Sequence, residues 1–211
     1  MATIVAVGIA TLDIINTVDD YPAEDAEVRA TAQRRCRGGN ATNTLVVLSQ
    51  LGHHCRWAGV LAREPDAATV LADLDAHGVA SSDCLWQDTG KIPTSYIVHN
   101  RRNGSRTIVH YRDLNEYPAR AFAELDLSAV DWLHFEGRNV ADTVQMLQSA
   151  RARQPGLPIS VEIEKPREGI ETLLPLADVI LFSRQYALQR GFDTAATFLP
   201  SMRAQASATA E

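Results

Sequence analysis

No run in this sequence approaches the ~20 consecutive apolar residues that a membrane-spanning helix requires. The N-terminus, Met-Ala-Thr-Ile-Val-Ala-Val-Gly, reaches the acidic Asp13 without a basic leader, so neither signal peptide nor anchor is expected. Cysteine is scarce. Cys36, Cys55 and Cys84 are odd in number and contain no C-x-x-C pair. That argues against a disulfide framework or a zinc site and for a reducing, cytoplasmic setting. Basic residues are in deficit, 20 Lys+Arg against 26 Asp+Glu for a formal net charge of −6. A nucleic-acid binder that tracks phosphates needs a basic excess or stripe, so no nucleic-acid partner is expected, and no membrane partner either. Glycine-rich phosphate loops of the Walker and G-x-G-x-x-G types are also absent. A small anionic ligand stays open, because one arginine or one helix N-terminus can hold it.

What is present fits one globular unit. The 211 residues are 45% apolar, 22% charged and 6% aromatic, and length predicts a single domain over 1–211. Thr3 to Ile9 is a near-continuous apolar run, as in a strand buried on both faces. Ala41, Leu45, Leu48 and Leu51 recur at helical spacing behind Gly38-Gly39, and Gly52 closes that helix. The alternation continues with a strand at Arg56–Leu61 and a helix at Pro65–His77. It goes on with a strand at Asp131–Phe135, a helix at Ala141–Arg151 and a strand at Pro158–Ile163. A short helix at Glu168–Leu174, a strand at Asp178–Phe182 and one helix after Gly191 complete it, before a frayed tail from Gln205 to Glu211. Strands alternating with helices predict an α/β body with a parallel sheet. Two stretches break the rhythm. Ile92–Arg101 and Ser105–Arg112 flank Asn103-Gly104, which signals a hairpin with a type I′ turn, and 14–37 can add further antiparallel strands. The expected lid therefore uses about 14–37 and 91–112.

Four groups can carry chemistry. In Arg37-Gly-Gly-Asn-Ala-Thr-Asn43 the glycines admit a ligand close to the backbone. Asn40 and Asn43 share one face of the first helical turn, where amides suit sugar hydroxyls; a plain glycine turn with an asparagine cap explains the same residues. Asp13 follows the first strand, where the crevice of an open α/β sheet lies, or it is a turn aspartate. Arg106 and Arg138 can steer a phosphate, or stand exposed. Glu162 and Glu164 point the same way on a strand and need partners, a metal or solvent. His53, His54 and His77 lack metal spacing, and Trp57, Trp86 and Trp132 fit core positions.

Together these blocks resemble the ribokinase, or phosphofructokinase B, family of carbohydrate kinases, and within it the kinases that phosphorylate ketoses. The resemblance rests on Leu12-Asp13, Tyr21-Pro-Ala-Glu-Asp25, Arg37 to Asn43, Gly104-Ser-Arg-Thr-Ile108, His134-Phe-Glu-Gly-Arg-Asn139 and Glu162-Ile-Glu-Lys-Pro-Arg-Glu168, in the family's order. It implies a Rossmann-type parallel body with a β-clasp lid, and ATP-dependent phosphorylation of a ketose such as fructose at its 1-hydroxyl, with Mg²⁺. It also implies a homodimer through the clasp. Asp13, Gly39, Asn40 and Asn43 match sugar-binding positions, and Asp25 matches a residue reaching the partner's site in trans. Arg106 matches a nucleotide-phosphate contact, with Arg138, Glu162 and Glu164 standing behind the site. The family's Asp-Thr-x-Gly-Ala-Gly-Asp signature, with its catalytic base and anion-hole amides, is not in the sequence; by this resemblance the base and the C-terminal nucleotide-binding part lie beyond Glu211. A non-catalytic sugar-binding or dimerising remnant is the alternative reading.

Overall fold

The computed structural model describes residues 1–206; the end of the expected tail, 207–211, lies outside them. In chain order the strands are β1 (Thr3–Val7), β2 (Thr11–Val18), β3 (Ala32–Gly38), β4 (His54–Ala58), β5 (Val60–Ala62) and β6 (Val79–Ala80). They continue with β7 (Leu85–Gln87), β8 (Thr94–Asn100), β9 (Arg106–Tyr111), β10 (Trp132–Glu136), β11 (Ile159–Ile163) and β12 (Val179–Phe182). The helices are α1 (Asn40–Gln50), α2 (Asp66–Ala76), α3 (Ala119–Ala123), α4 (Val140–Arg153), α5 (Arg184–Gln189) and α6 (Ala195–Arg203), with a 3₁₀ helix at Ile170–Leu176. None of them is long and apolar enough to cross a membrane.

β1 is apolar because both of its faces are covered. Ile4 and Ala6 enter one core cluster with Leu45, Trp57 and Leu74, while Val5 and Val7 enter the other with Leu133, Phe135 and Val161. It sits inside a six-stranded parallel sheet of order β12-β11-β10-β1-β4-β6. Strand order reverses between β1 and β10, since the chain first builds outward through β4 and β6 and then returns to build through β11 and β12. A crevice opens at the carboxyl ends of strands at such a reversal.

The second sheet, the lid, leaves the body three residues after β1 and has the order β3-β2-β8-β9. It contains two antiparallel pairs, β2–β3 and β8–β9, but β2 runs parallel to β8. The purely antiparallel flap expected from the turn signals is thus a mixed sheet, because β2 and β8 each arrive from the same end of the body. Its first strand begins at Thr11, ahead of the expected 14. The expected type I′ turn is a longer loop over 101–105. Gly104 has φ +73° but Asn103 does not take a positive φ, and Asn100 closes the loop by pairing its N–H with Ser105 and its carbonyl with Gly104. Local composition signalled the hairpin; the pairing of Asn100 decided the loop.

Three smaller differences have local causes. The strand expected over Arg56–Leu61 is divided at Gly59, and β5 leaves to pair with β7. The helix expected at Glu168–Leu174 is 3₁₀ and carries Pro175. Trp57 is fully buried as expected, but Trp86 is 42% exposed and lies under the Arg63 guanidinium, 5.4 Å from its ring centre.

Candidate functional site

α1 delivers its N-terminus into the crevice at the β1–β10 reversal. Gly39 precedes it with φ +104°, so the chain turns sharply from β3 into the helix, and no side chain of the helix caps its first turn. The cap comes from another strand. Glu136, at the end of β10, accepts the Ala41 N–H on Oε1 at 2.6 Å. A carboxylate there answers both the free N–H groups and the positive end of the helix dipole. Gly8, after β1, makes room for it, since a Cβ at that position would stand 2.7 Å from the Glu136 carboxyl carbon.

That arrangement frees the asparagines. Asn40 is the first residue of α1 rather than its cap, and its Nδ2 donates to Glu162 Oε1 at 2.9 Å. The carbonyl oxygen of its amide is left for a ligand. Asn43, one turn on, is oriented by Arg37, whose Nη1 donates to Asn43 Oδ1 at 2.8 Å and to Thr42 Oγ1 at 2.9 Å. Arg37 is itself anchored through Nε on Asp73 at 2.5 Å. Asp13, on β2, accepts the Thr11 hydroxyl on Oδ1 at 2.8 Å and packs its other oxygen over Gly38.

Two cavities meet at Asn43. One, of about 310 Å³, is lined by Asn40, Asn43, His134 and Glu162. The other, of about 660 Å³, lies under the lid and is lined by Asp13, Asn43 and Arg106. Of the residues singled out in the sequence, the structure therefore brings Asp13, Asn40, Asn43, Arg106 and Glu162 around adjoining spaces. Arg138 faces Glu116, with Nε 3.1 Å from Oε1, and lies 3.7 Å from Glu136. Glu164 stands just past β11, next to Lys165. Asp25 lines neither cavity; it occupies the exposed 19–31 connection with φ +62°.

Two residues at the site had no role assigned from the sequence. Arg37 had a signal, since it opens the Arg-Gly-Gly-Asn block. Glu136 had one only as a member of the His134-Phe-Glu-Gly-Arg-Asn139 block.

Burial pushes the Glu136 carboxyl up to about 7, helped by the charge of Glu162 and opposed by the Ala41 N–H and Arg138. The same forces raise Glu162, burial first and Glu164 next, against Asn40 and Arg138. The Glu136 value has a consequence for stability. The folded chain keeps a proton that an unfolded glutamate gives up, so stability falls as pH rises from about 4.5 to about 7 and is level on either side. The loss attributable to this group is on the order of 3 kcal/mol. Glu136→Gln keeps an oxygen for the Ala41 N–H and should flatten that part of the profile in urea unfolding at a series of pH values. An unchanged slope would show that Glu136 is not the group responsible.

The model of the pfkB family carbohydrate kinases matches residues 1–188. The chain belongs to the pfkB family. Mouse ketohexokinase is 44% identical over 200 residues, 91% of this chain and 67% of the mouse protein. Among solved structures, ribokinase from Giardia lamblia superposes with a TM-score of 0.85 at 15% identity, over 100% of this chain and 72% of that one. Arabidopsis thaliana ribokinase, complexed with ribose and ATP, gives 0.75 at 13% identity over 98% and 70%. This pfkB chain is thus a sugar kinase by family, with the ribokinase fold of body and lid, and it spans about two thirds of its mouse relative.

Proposed function

We propose that these residues form the sugar-binding and lid portion of an ATP-dependent kinase that phosphorylates a ketose such as fructose at the 1-hydroxyl. The observation that carries this reading is the meeting of Asp13, Asn43 and Arg106 on one cavity beneath the lid. In this reading Asp13 accepts hydrogen bonds from adjacent sugar hydroxyls. Asn40 and Asn43 supply amides whose rotamers are held by Glu162 and Arg37. Gly39 lets the backbone approach the sugar ring. The ketose, rather than another sugar, is suggested by the likeness to mouse ketohexokinase.

ATP supplies the phosphoryl group when bound. Arg106, at the start of β9, fits its phosphate chain, because a guanidinium matches phosphate geometry and this one faces the same cavity as the clamp. Among the described residues no three metal-ligating side chains cluster. Mg²⁺ would be carried largely by the nucleotide phosphates, as is usual for this ion. The lid supports a homodimer. β9 is exposed along its whole length, with Val109 67% exposed, and a two-fold copy would cover it while carrying Asp25 toward the opposite site.

The test is Asp13→Asn. Removing the charge from one hydroxyl contact while keeping the shape should cost about 1.5–3 kcal/mol, or roughly tenfold to a hundredfold in fructose affinity by calorimetric titration. Unchanged affinity would take Asp13 out of the site.

A further inference from the structure

Arginines drawn from three separate segments crowd one half-buried place beside the clamp. Arg112 follows β9, Arg138 follows β10 and Arg167 follows β11. Arg112 pairs with Glu116, and Arg138 Nε lies 3.1 Å from the same carboxylate oxygen. Burial works to raise Glu116, but the Arg112 hydrogen bond and the two guanidinium charges outweigh it and hold the carboxyl below its ordinary range. Glu116 is therefore fully ionised. The next carboxylate, Glu136, is pushed up to about 7 and is only partly ionised at neutral pH. Glu164 is matched by Lys165 at 3.6 Å.

Arg167 has no such partner. It forms no ion pair among the described residues, and its buried Nε has no hydrogen-bond acceptor there; Arg112 Nε is left in the same condition. Burial depresses Arg167 first, and the charges of Arg138 and Arg112 add to it against Glu116 and Glu164. A guanidinium does not shed its proton in a protein, so this half-buried charge is met by solvent or by a bound anion. A buried cation without a counter-charge is costly. Three guanidiniums against one fully ionised carboxylate leave an excess that suits a dianion better than a carboxylate.

The place adjoins the sugar clamp. Ser95 is paired in register with Asp13 on one side and His110 on the other, and Ser95 Oγ lies 3.2 Å from His110 Nδ1. Burial holds the His110 ring low, and the charges of Arg138, Arg112 and Lys165 act on it together, opposed by Asp13. One imidazole thus lies between the arginines and the hydroxyl-binding carboxylate.

We propose that Arg112, Arg138 and Arg167 form an anion subsite beside the hydroxyl clamp that takes the phosphate monoester of a phosphorylated sugar. It rests on the clamp reading for the sugar and on the unpartnered guanidinium nitrogens for the phosphate. Planar guanidinium forks match phosphate oxygens in pairs, and bonds between two ions are the stronger kind.

The test titrates the chain at low salt with fructose, fructose 1-phosphate, fructose 6-phosphate and inorganic phosphate. At least one ester should bind about tenfold or more tightly than fructose. That preference should shrink toward none in Arg167→Gln and Arg112→Gln, and be partly kept in Arg167→Lys. Tighter 1-phosphate identifies the group as the one transferred to the product. Tighter 6-phosphate identifies it as a phosphate the substrate already carries. Esters no tighter than fructose, or a preference untouched by all three variants, overturn the subsite and leave the clamp standing. Phosphate binding that depends on Arg167, with no fructose binding, keeps the subsite and overturns the clamp. No binding of any of the four ligands overturns both.

Discussion

Residues 1–211, purified as such and assayed with ATP, Mg²⁺ and fructose, are expected to give no turnover above the protein-free rate. Phosphoryl transfer depends on positioning, on stabilising the charge of the transferred group and on a group that orients or deprotonates the nucleophile. The carboxylates around the clamp are placed as binding and positioning groups rather than as the base. Asp13 accepts from Thr11, Glu136 from the Ala41 N–H, and Glu162 from Asn40. The Asp-Thr-x-Gly-Ala-Gly-Asp element, which the resemblance implies would supply the base and the anion-hole amides, does not occur in the sequence. General-base assistance typically contributes about 10²–10⁴-fold. Each strong oxyanion donor adds a further factor of about 10²–10³. A chain with hydroxyl-binding groups alone would bind the sugar and not transform it. A coupled assay decides the matter. Turnover above background that Asn40→Ala abolishes would mean that a residue among those described serves as the base.

Gly39→Ala should be the most damaging single methyl group at the site. At φ +104° and ψ 134° an L-residue is strained, and the added Cβ would stand 2.2 Å from the Ile9 carbonyl oxygen. That oxygen belongs to the backbone that joins β1 to β2, so it cannot swing aside as a flexible side chain would. Strain of this kind costs about 1–3 kcal/mol before the clash is counted. Relief would require the start of α1 to move, carrying Asn40 off Glu162 and Ala41 off Glu136. Urea unfolding should show a clear loss of stability, and fructose affinity should fall by about a hundredfold or more, since misplaced groups lose their hydrogen bonds together. Gly104→Ala is the control. Its φ is also positive, at +73°, but among the described residues nothing lies within 4 Å of an added Cβ. It should therefore cost only about 1–2 kcal/mol and leave sugar affinity unchanged. Equal effects of the two substitutions would show that the close approach at Ile9 does not matter.

Much of the fold was legible because its signals are local. The apolar run at Thr3, the helical spacing from Ala41 to Leu51 and the stop at Gly52 each depend on residues within one or two turns. They correspond to β1 and α1 almost residue for residue. The Gly-Gly-Asn block announced a backbone approach backed by a helix start, and Asn40 and Asn43 do share a face there. The pairing of β2 with β8 was not legible. Both strands carry the same alternation whether they run parallel or antiparallel, and nothing in either segment states its direction. Asn103-Gly104 likewise marked a reversal without fixing its length.

What the sequence by itself determined was the class of the fold, the presence of a lid and the residue types offered to a sugar, because periodicity and turn chemistry are properties of short segments. Only the tertiary structure decided which groups those residues meet. Glu136 reaches Ala41 across 95 positions and Asn40 reaches Glu162 across 122. Arg112, Arg138 and Arg167 come from three separate loops. Such contacts follow from the order in which parallel strands assemble around β1, where the reversal places distant carboxyl ends side by side. No local pattern encodes that juxtaposition, and the charges and caps of the site, with an Arg167 that has no ion pair among the described residues, follow from it.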